Sequence, residues 1–309
     1  MSGYVFHTLD VFTEQIFGGN PLAVFPKAAG LETDQMQAVA RELNLSETVF
    51  VFPPDDSQHT RRLRIFTPGT ELPFAGHPTV GTAHLLAEIG DIPIQGSETP
   101  IVFEEGVGPV PVTIIAADGR PVAARFSAAR LPEHGPAAPP RAEIAEVLSL
   151  EPGDLREEPG PAAVSCGVPF LFVPLASLEA LGRARLRRDA WERTLAGFWA
   201  PHLYLVGPPQ PDSAASYRAR MFAPAMGIEE DPATGAAATA LAGYLAPLED
   251  RQNGTVKWLI EQGVEMGRPS LISLEADLAA GRVTGIRVSG RSVLVSHGEM
   301  EIPGAADSR

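Results

Sequence analysis

The chain has 309 residues, of which 44% are hydrophobic and 20% charged, the composition of a folded globular protein with room for about two domains. Its net charge of −14 excludes an electrostatic grip on nucleic acid, which needs a basic face, but leaves a local pocket free to take a small anion. A single cysteine, Cys166, excludes an intrachain disulfide and cysteine-rich zinc sites. No apolar run reaches the ~18 residues of a membrane span and the N-terminus does not read as a secretory signal, so a cytoplasmic protein with no membrane partner is expected.

Residues 4–8 and 22–25 read as strands. Between 33 and 43, Met36, Val39, Ala40 and Leu43 recur at helical spacing, which predicts a helix there. Residues 48–52 are β-branched and aromatic, a buried strand, and 62–66 alternate basic with apolar, a half-exposed one. Residues 78–87 predict a helix with almost no polar side chain, and further strands are expected near 101–104, 111–115 and 122–127. The four prolines of 132–140 suggest a linker, followed by a helix over 141–150. Strands are then expected at 163–173, 203–206, 217–222, 256–261, 271–274, 285–288 and 293–296. Between them lies a second all-apolar helix. It is predicted to start at Pro232 behind Asp231, because Asp is a preferred N-cap and proline suits the first helical position. A helix apolar on every side belongs inside a core.

The two halves resemble each other. Arg64-Ile-Phe-Thr-Pro68 matches Arg220-Met-Phe-Ala-Pro224, an offset of 220 − 64 = 156. His77-Pro-Thr-Val-Gly81 matches Asp231-Pro-Ala-Thr-Gly235, an offset of 231 − 77 = 154. Glu104-Glu-Gly-Val107 matches Glu261-Gln-Gly-Val264, and a weaker match pairs Gly19-Asn-Pro-Leu22 with Gly167-Val-Pro-Phe170. These matches are collinear, and the period is too long for a solenoid, so the chain reads as a duplicated domain. Each copy is many strands with one wholly apolar helix, which is an α+β class with a mostly antiparallel sheet rolled around a buried helix. The expected division is 1–130 and 131–284, with the last strand, 285–309, returning to the first domain; the final residues, from 304, are expected to be disordered.

Duplication makes His77 and Asp231 equivalent positions at the mouths of two buried helices. Those mouths could face one cleft, where free N–H groups suit a carboxylate and Gly76, Gly81 and Gly235 allow close approach. Each residue also has a plain reading: Asp231 as an N-cap, His77 as a packed imidazole, and Glu47 as an exposed loop acid between a helix end and a strand. The second-half counterpart of Glu47 falls near Pro201-His202 and is not acidic, so a duplicated site would have become asymmetric, with one main proton carrier. Cys166 fits a buried small hydrophobe better than a nucleophile. The histidines show no metal spacing, and neither a Walker A, a dinucleotide fingerprint nor a nucleophile elbow is present. Gly263 and Gly267-Arg268-Pro269 resemble a turn that brings backbone into the cleft, with an ordinary loop as the plain reading.

Taken together, Asp10-Val-Phe-Thr13, Gly19-Asn-Pro-Leu-Ala-Val24, Leu45-Ser-Glu-Thr48, Arg64-Ile-Phe-Thr-Pro68, Glu71-Leu-Pro-Phe-Ala-Gly-His-Pro-Thr79, Glu230-Asp-Pro-Ala-Thr-Gly235 and Glu261-Gln-Gly263 through Met266-Gly-Arg-Pro-Ser270 resemble the PhzF-like family of phenazine-biosynthesis isomerases, relatives of diaminopimelate epimerase. The resemblance implies two similar domains, each a sheet rolled around a central helix, an active site between them, no cofactor or metal, and a homodimer. It implies that Glu47 moves a proton within a small, cyclic, amino acid-like carboxylate, that His77 and Asp231 flank it, and that Asn20, Gly76, Gly235 and Ala236 contact the substrate. Ala236 stands where the phenazine enzymes carry a serine that helps hold the substrate carboxylate. An epimerase or racemase, an inactive carboxylate-binding protein and a structural protein are the competing functions.

Overall fold

The structure is a computed structural model and describes residues 2–304; the chain's last five residues, part of the tail expected to be disordered, lie outside the described residues. The chain forms two compact units, one from residues 1–127 with 289–309 and the other from 128–288. The first contains β1 (Ser2–Val11), β2 (Asn20–Phe25), α1 (Thr33–Leu43), β3 (Glu47–Phe52), β4 (Arg61–Phe66), β5 (Glu71–Leu72), α2 (Gly76–Glu88), β6 (Glu98–Glu105), β7 (Gly108–Ala117) and β8 (Arg120–Ser127). The second contains β9 (Glu133–His134), α3 (Arg141–Val147), β10 (Ala162–Ser165), β11 (Pro169–Pro174), α4 (Leu178–Arg183), α5 (Arg188–Thr194), β12 (His202–Gly207), β13 (Tyr217–Ala223), β14 (Ile228–Asp231), α6 (Gly235–Leu245), β15 (Gly254–Gln262), β16 (Ser270–Ala279) and β17 (Arg282–Gly290). The last strand, β18 (Ser292–Ile302), pairs antiparallel with β1 in the first unit.

Strand pairing repeats between the units. β1–β2, β3–β4, β4–β5 and β6–β7 are antiparallel, while β2–β3 and β4–β6 are parallel. The second unit copies this: β10–β11, β12–β13, β13–β14 and β15–β16 are antiparallel, β11–β12 and β13–β15 parallel. The class is α+β, with a mostly antiparallel sheet.

Burial explains the sequence patterns. Every residue of β3 is buried because both faces are covered. Met36, Val39 and Ala40 of α1 pack with Phe25, Phe50, Phe52 and Phe66 on one side, and α2 covers the other. Residues 76–87 of α2 are all buried, as is all of α6 except Ala236; with no wet face, neither helix can carry a polar stripe. Two glycines permit the close packing. A Cβ on Gly81 would lie 2.6 Å from Leu22 Cδ2 and Val11 Cγ2, and one on Gly243 would lie 2.4 Å from Pro132 Cβ.

Several expectations are corrected. The helix expected from Pro232 begins at Gly235, and Asp231 ends β14 instead of capping α6. Residues 231–234 are held extended: Asp231 pairs with Met221 of β13, the Pro232 carbonyl accepts from Ser270 Oγ, and Gln262 Oε1 accepts from the Thr234 N–H. In α2 the helix starts earlier than expected, so His77 lies inside its first turn. The proline-rich stretch 132–140 is no free linker: β9 pairs with β10, and Gly135 donates to the Ala163 carbonyl. The strand expected over 163–173 is two strands, β10 and β11, reversing at Gly167, whose φ of +125° only glycine adopts readily. The short helices α4 and α5 had no sustained period to betray them.

Candidate active site

In the first unit three segment starts converge. β2 and β3 are parallel, with Leu22 opposite Glu47, so both strands begin at the same end. Asn20 opens β2, Glu47 opens β3, and His77 is the second residue of α2, directly after Gly76. All four are buried. His77 Nε2 lies 3.1 Å from Glu47 Oε2, and the ring also meets the Pro21 backbone carbonyl. Burial dominates the imidazole and lowers its pKa to about 3, with the Pro21 bond opposing weakly, so the contact is not an ion pair with an imidazolium. A neutral ring has one N–H. With that hydrogen given to the Pro21 carbonyl, Nε2 lies against the carboxyl oxygen of Glu47 as a close contact of two buried polar atoms. The arrangement sets a carboxyl beside a neutral imidazole in a buried place, which suits proton transfer.

The second unit differs at the equivalent positions. Strand register pairs His202 with Phe170 as it pairs Glu47 with Leu22, so His202 occupies the place of Glu47. Burial lowers the pKa of His202 to about 4, leaving a neutral ring where the first unit has a carboxyl. Asp231, the counterpart of His77, accepts a short hydrogen bond from the Thr234 hydroxyl. Its backbone is fixed by Gln262, whose Nε2 donates to the Asp231 carbonyl at 2.8 Å and to Thr234 Oγ1 at 3.1 Å, and whose Oε1 accepts from Tyr204 at 3.0 Å. Gly263, at φ +77°, lets the following turn close on this segment: a Cβ there would lie 2.4 Å from the Arg268 carbonyl oxygen and 2.5 Å from that of Pro232. Gly235 and Ala236 begin α6, the first buried and the second half-exposed.

Several supporting residues were not singled out in the sequence. Arg64 makes a two-pronged bond to Glu71 at 2.7 and 2.6 Å, just ahead of α2. Arg220 does the same to Glu230 at 2.7 and 2.8 Å, beside Asp231. The repeated arginine at the head of each matched motif, followed by an acid before the helix, was the available signal. The Cys166 thiol is pushed up to about 12 by burial and is no nucleophile at neutral pH. Among the described residues no group of three or more His, Cys, Asp or Glu side chains could hold a metal ion, and no helix is long and apolar enough to cross a membrane. A cavity of ≈ 860 Å³ in the first unit is lined by Asp55, Arg62, Arg64, Glu71 and Glu105 among others, and by none of Asn20, Glu47 or His77. Size alone does not mark it as the reaction site, because its Arg64 and Glu71 are spent on each other.

Comparison with known proteins defines the class. The chain is 42% identical over 299 residues to an uncharacterized isomerase of Mesorhizobium japonicum, covering 95% of this chain and 97% of that one. It is 36% identical over 301 residues to the trans-2,3-dihydro-3-hydroxyanthranilate isomerase of Pseudomonas aeruginosa, covering 94% and 96%. The crystal structure of a PhzF-family phenazine biosynthesis protein of Bacillus anthracis superposes with a TM-score of 0.88 at 25% identity, covering 98% of this chain and all of that one. The fold and these relatives define an isomerase. Residues 9–298 match the model of the phenazine biosynthesis-like protein family, and the chain belongs to that PhzF family.

Proposed function

We propose that the protein is a cofactor-independent isomerase that moves a proton within a small cyclic amino carboxylate, with Glu47 as the proton carrier. The observation that carries this reading is the buried approach of Glu47 Oε2 to a neutral His77 Nε2 at 3.1 Å. Glu47 takes a proton from a carbon activated by a neighbouring carboxylate or imine and returns it at another carbon. His77 orients the carboxyl. In the same reading Asp231 engages a polar substituent, and Asn20, Gly76, Gly235 and Ala236 make the remaining substrate contacts, the helix N–H groups suiting the carboxylate.

The Pseudomonas aeruginosa relative, by its name, isomerises trans-2,3-dihydro-3-hydroxyanthranilate, which makes that compound the first probe for this chain. Ala236 offers no hydroxyl, and one hydrogen bond to a charged group is worth roughly 1.5–3 kcal/mol; the proposal is therefore a related carboxylate for which the backbone N–H groups suffice. A homodimer in the cytoplasm completes the reading. A thermal-shift screen over cyclic and amino-bearing carboxylates tests it, each hit then being incubated with enzyme and followed by NMR. Isomerisation of at least one hit is expected. Binding without any isomerisation would make the protein a carboxylate binder, and no binding at all would remove the small-molecule function.

A further inference from the structure

Glu105 lies at the end of β6 with its side chain buried, and among the described residues its side chain bonds Thr79 in the first turns of α2. Thr79 Oγ1 stands between two acceptors. Its hydroxyl is 2.8 Å from the Ala75 carbonyl oxygen and 2.7 Å from Glu105 Oε1. A hydroxyl has one hydrogen to give. If that hydrogen goes to the Ala75 carbonyl, Glu105 must itself donate to Oγ1, which only a protonated carboxyl can do. Glu105 Oε2 is buried with no partner, as suits an uncharged acid and not a carboxylate.

The duplication supplies an independent observation. Strand register sets Arg62 opposite Glu104 and, in the other unit, Arg218 opposite Glu261. Glu105 therefore corresponds to Gln262, whose neutral amide grips the segment leading into α6 through the Asp231 carbonyl. The carboxylic acid form of Glu105 has the shape of that amide and, with one O–H, part of its donor capacity. We propose that Glu105 is a positioning residue of the proton-transfer site, kept as an uncharged acid that fixes the first turn of α2, and with it His77, through Thr79. This rests on the proposed function for its catalytic meaning, but the coupling of Glu105 to His77 does not.

The surroundings agree. On α2, His77 is the only titratable group of the first turn. On β4 and β5 the nearby charges are Arg62, Arg64 and Glu71; Arg64 and Glu71 bind each other, and Arg62 faces Asp55 at 3.5 Å. Beside β6, Glu104 bonds the Asp55 and Asp56 N–H groups and His59, and those N–H groups hold it down to about 2. The adjoining Gly108-Pro109-Val110 of β7 has no charge. None of these groups pairs with Glu105, so burial without a counter-charge raises its pKa to about 8. The positive end of α2 favours an anion, but a dipole at a helix end is a weaker influence than the loss of hydration of an unpaired buried charge. Above that pH the Thr79 hydroxyl must turn to the carboxylate, leaving the Ala75 carbonyl to the longer bond from the Thr79 N–H at 3.3 Å and loosening the turn that holds His77.

Imidazole ¹⁵N and glutamate carboxyl ¹³C NMR, followed from pH 6 to 9.5 without substrate, test the coupling in wild type, Glu105→Gln and Thr79→Val. The His77 ring does not itself titrate in this range, so any step it shows reports a change around it. In wild type a Glu105 carboxyl step near pH 8 is expected, with a matching step in the His77 ¹⁵N signal. Both steps vanish in Glu105→Gln, and Thr79→Val keeps the carboxyl step while losing the His77 one. The proposal is overturned if the Glu105 carboxyl titrates below pH 5, or if the His77 step persists in either variant. With a turned-over substrate in hand, the alkaline limb of kcat should move upward in Glu105→Gln; an unmoved limb would also count against it. Absence of any turnover by wild type would bear on the proposed function and leave the NMR result intact.

Discussion

Replacing Gln262 by leucine tests the view that the Asp231 segment is held by one buried amide. Leucine nearly conserves volume but removes every polar contact. Three buried or half-buried groups lose a partner: the Asp231 carbonyl at 2.8 Å, the Tyr204 hydroxyl at 3.0 Å and the Thr234 N–H at 3.2 Å. The Tyr204 side chain is fully buried, so water does not replace the bond there. Each unsatisfied buried group costs about 1–3 kcal/mol, and with some relaxation the sum is on the order of 4 kcal/mol. Urea denaturation at pH 7 should show this loss at unchanged m-value, while Gln262→Glu should recover part of it under mildly acidic conditions, where a protonated carboxyl still donates. A loss below about 1 kcal/mol in the leucine variant would refute the reasoning, since that is the size of one ordinary hydrogen bond.

Further outcomes follow from the same structure. Gly263→Ala places a Cβ against two backbone oxygens in left-handed backbone; a loss of roughly 3 kcal/mol is expected from denaturation, and a neutral result would mean the turn relaxes freely. On the acid side, His77, His202 and His84 are held neutral by burial, the first two at about 3 and about 4 and the last lowered as well. The unfolded chain takes up protons below its histidine pKa of about 6.5, so the histidine contribution is complete above that pH and falls as the pH drops toward 4, by up to about 1.4 kcal/mol per unit per ring; Glu105, raised to about 8, opposes one ring over this range and leaves a net fall from the other two. Denaturation midpoints at pH 7, 6 and 5 check this, and a flat profile would contradict neutral burial. The half-buried Cys166 thiol, pushed up to about 12, should resist iodoacetamide in the native protein at pH 7.5 and react on unfolding; fast native labelling would contradict the raised pKa.

Much of this was legible in the residues because burial leaves a strong mark. α1 matched its expected bounds, and the two polar-poor helices announced a position inside a rolled sheet. The motif repeat became a repeat of strand pairing, down to the parallel pairs β2–β3 and β11–β12. Local propensity misjudged the start of α6: Asp231-Pro232 is a good cap-and-first-turn signal, but pairing with β13 and the grip of Gln262 and Ser270 keep it extended. The same signal was overridden in PEHGPAAPP, where a tertiary contact at Gly243 makes proline-rich chain part of the packing. His77 was singled out by the repeat and Glu47 by the family resemblance; their 3.1 Å approach depends on β2, β3 and α2 starting together, which no local window contains. Glu105 and Gln262 stood in the matched motif, yet one letter's difference between them carried no visible meaning until Thr79 and the Asp231 carbonyl were seen beside them.

Glu47 is the proposed proton carrier. The direct test is solvent exchange: a substrate turned over by wild type is incubated in D₂O, and its product is examined for deuterium at the carbon that receives the proton. Wild type should introduce deuterium there, whereas Glu47→Gln, folded to the same melting profile, should introduce none and leave the substrate unchanged. Undiminished deuterium uptake by Glu47→Gln would place the proton transfer on another residue and contradict the account.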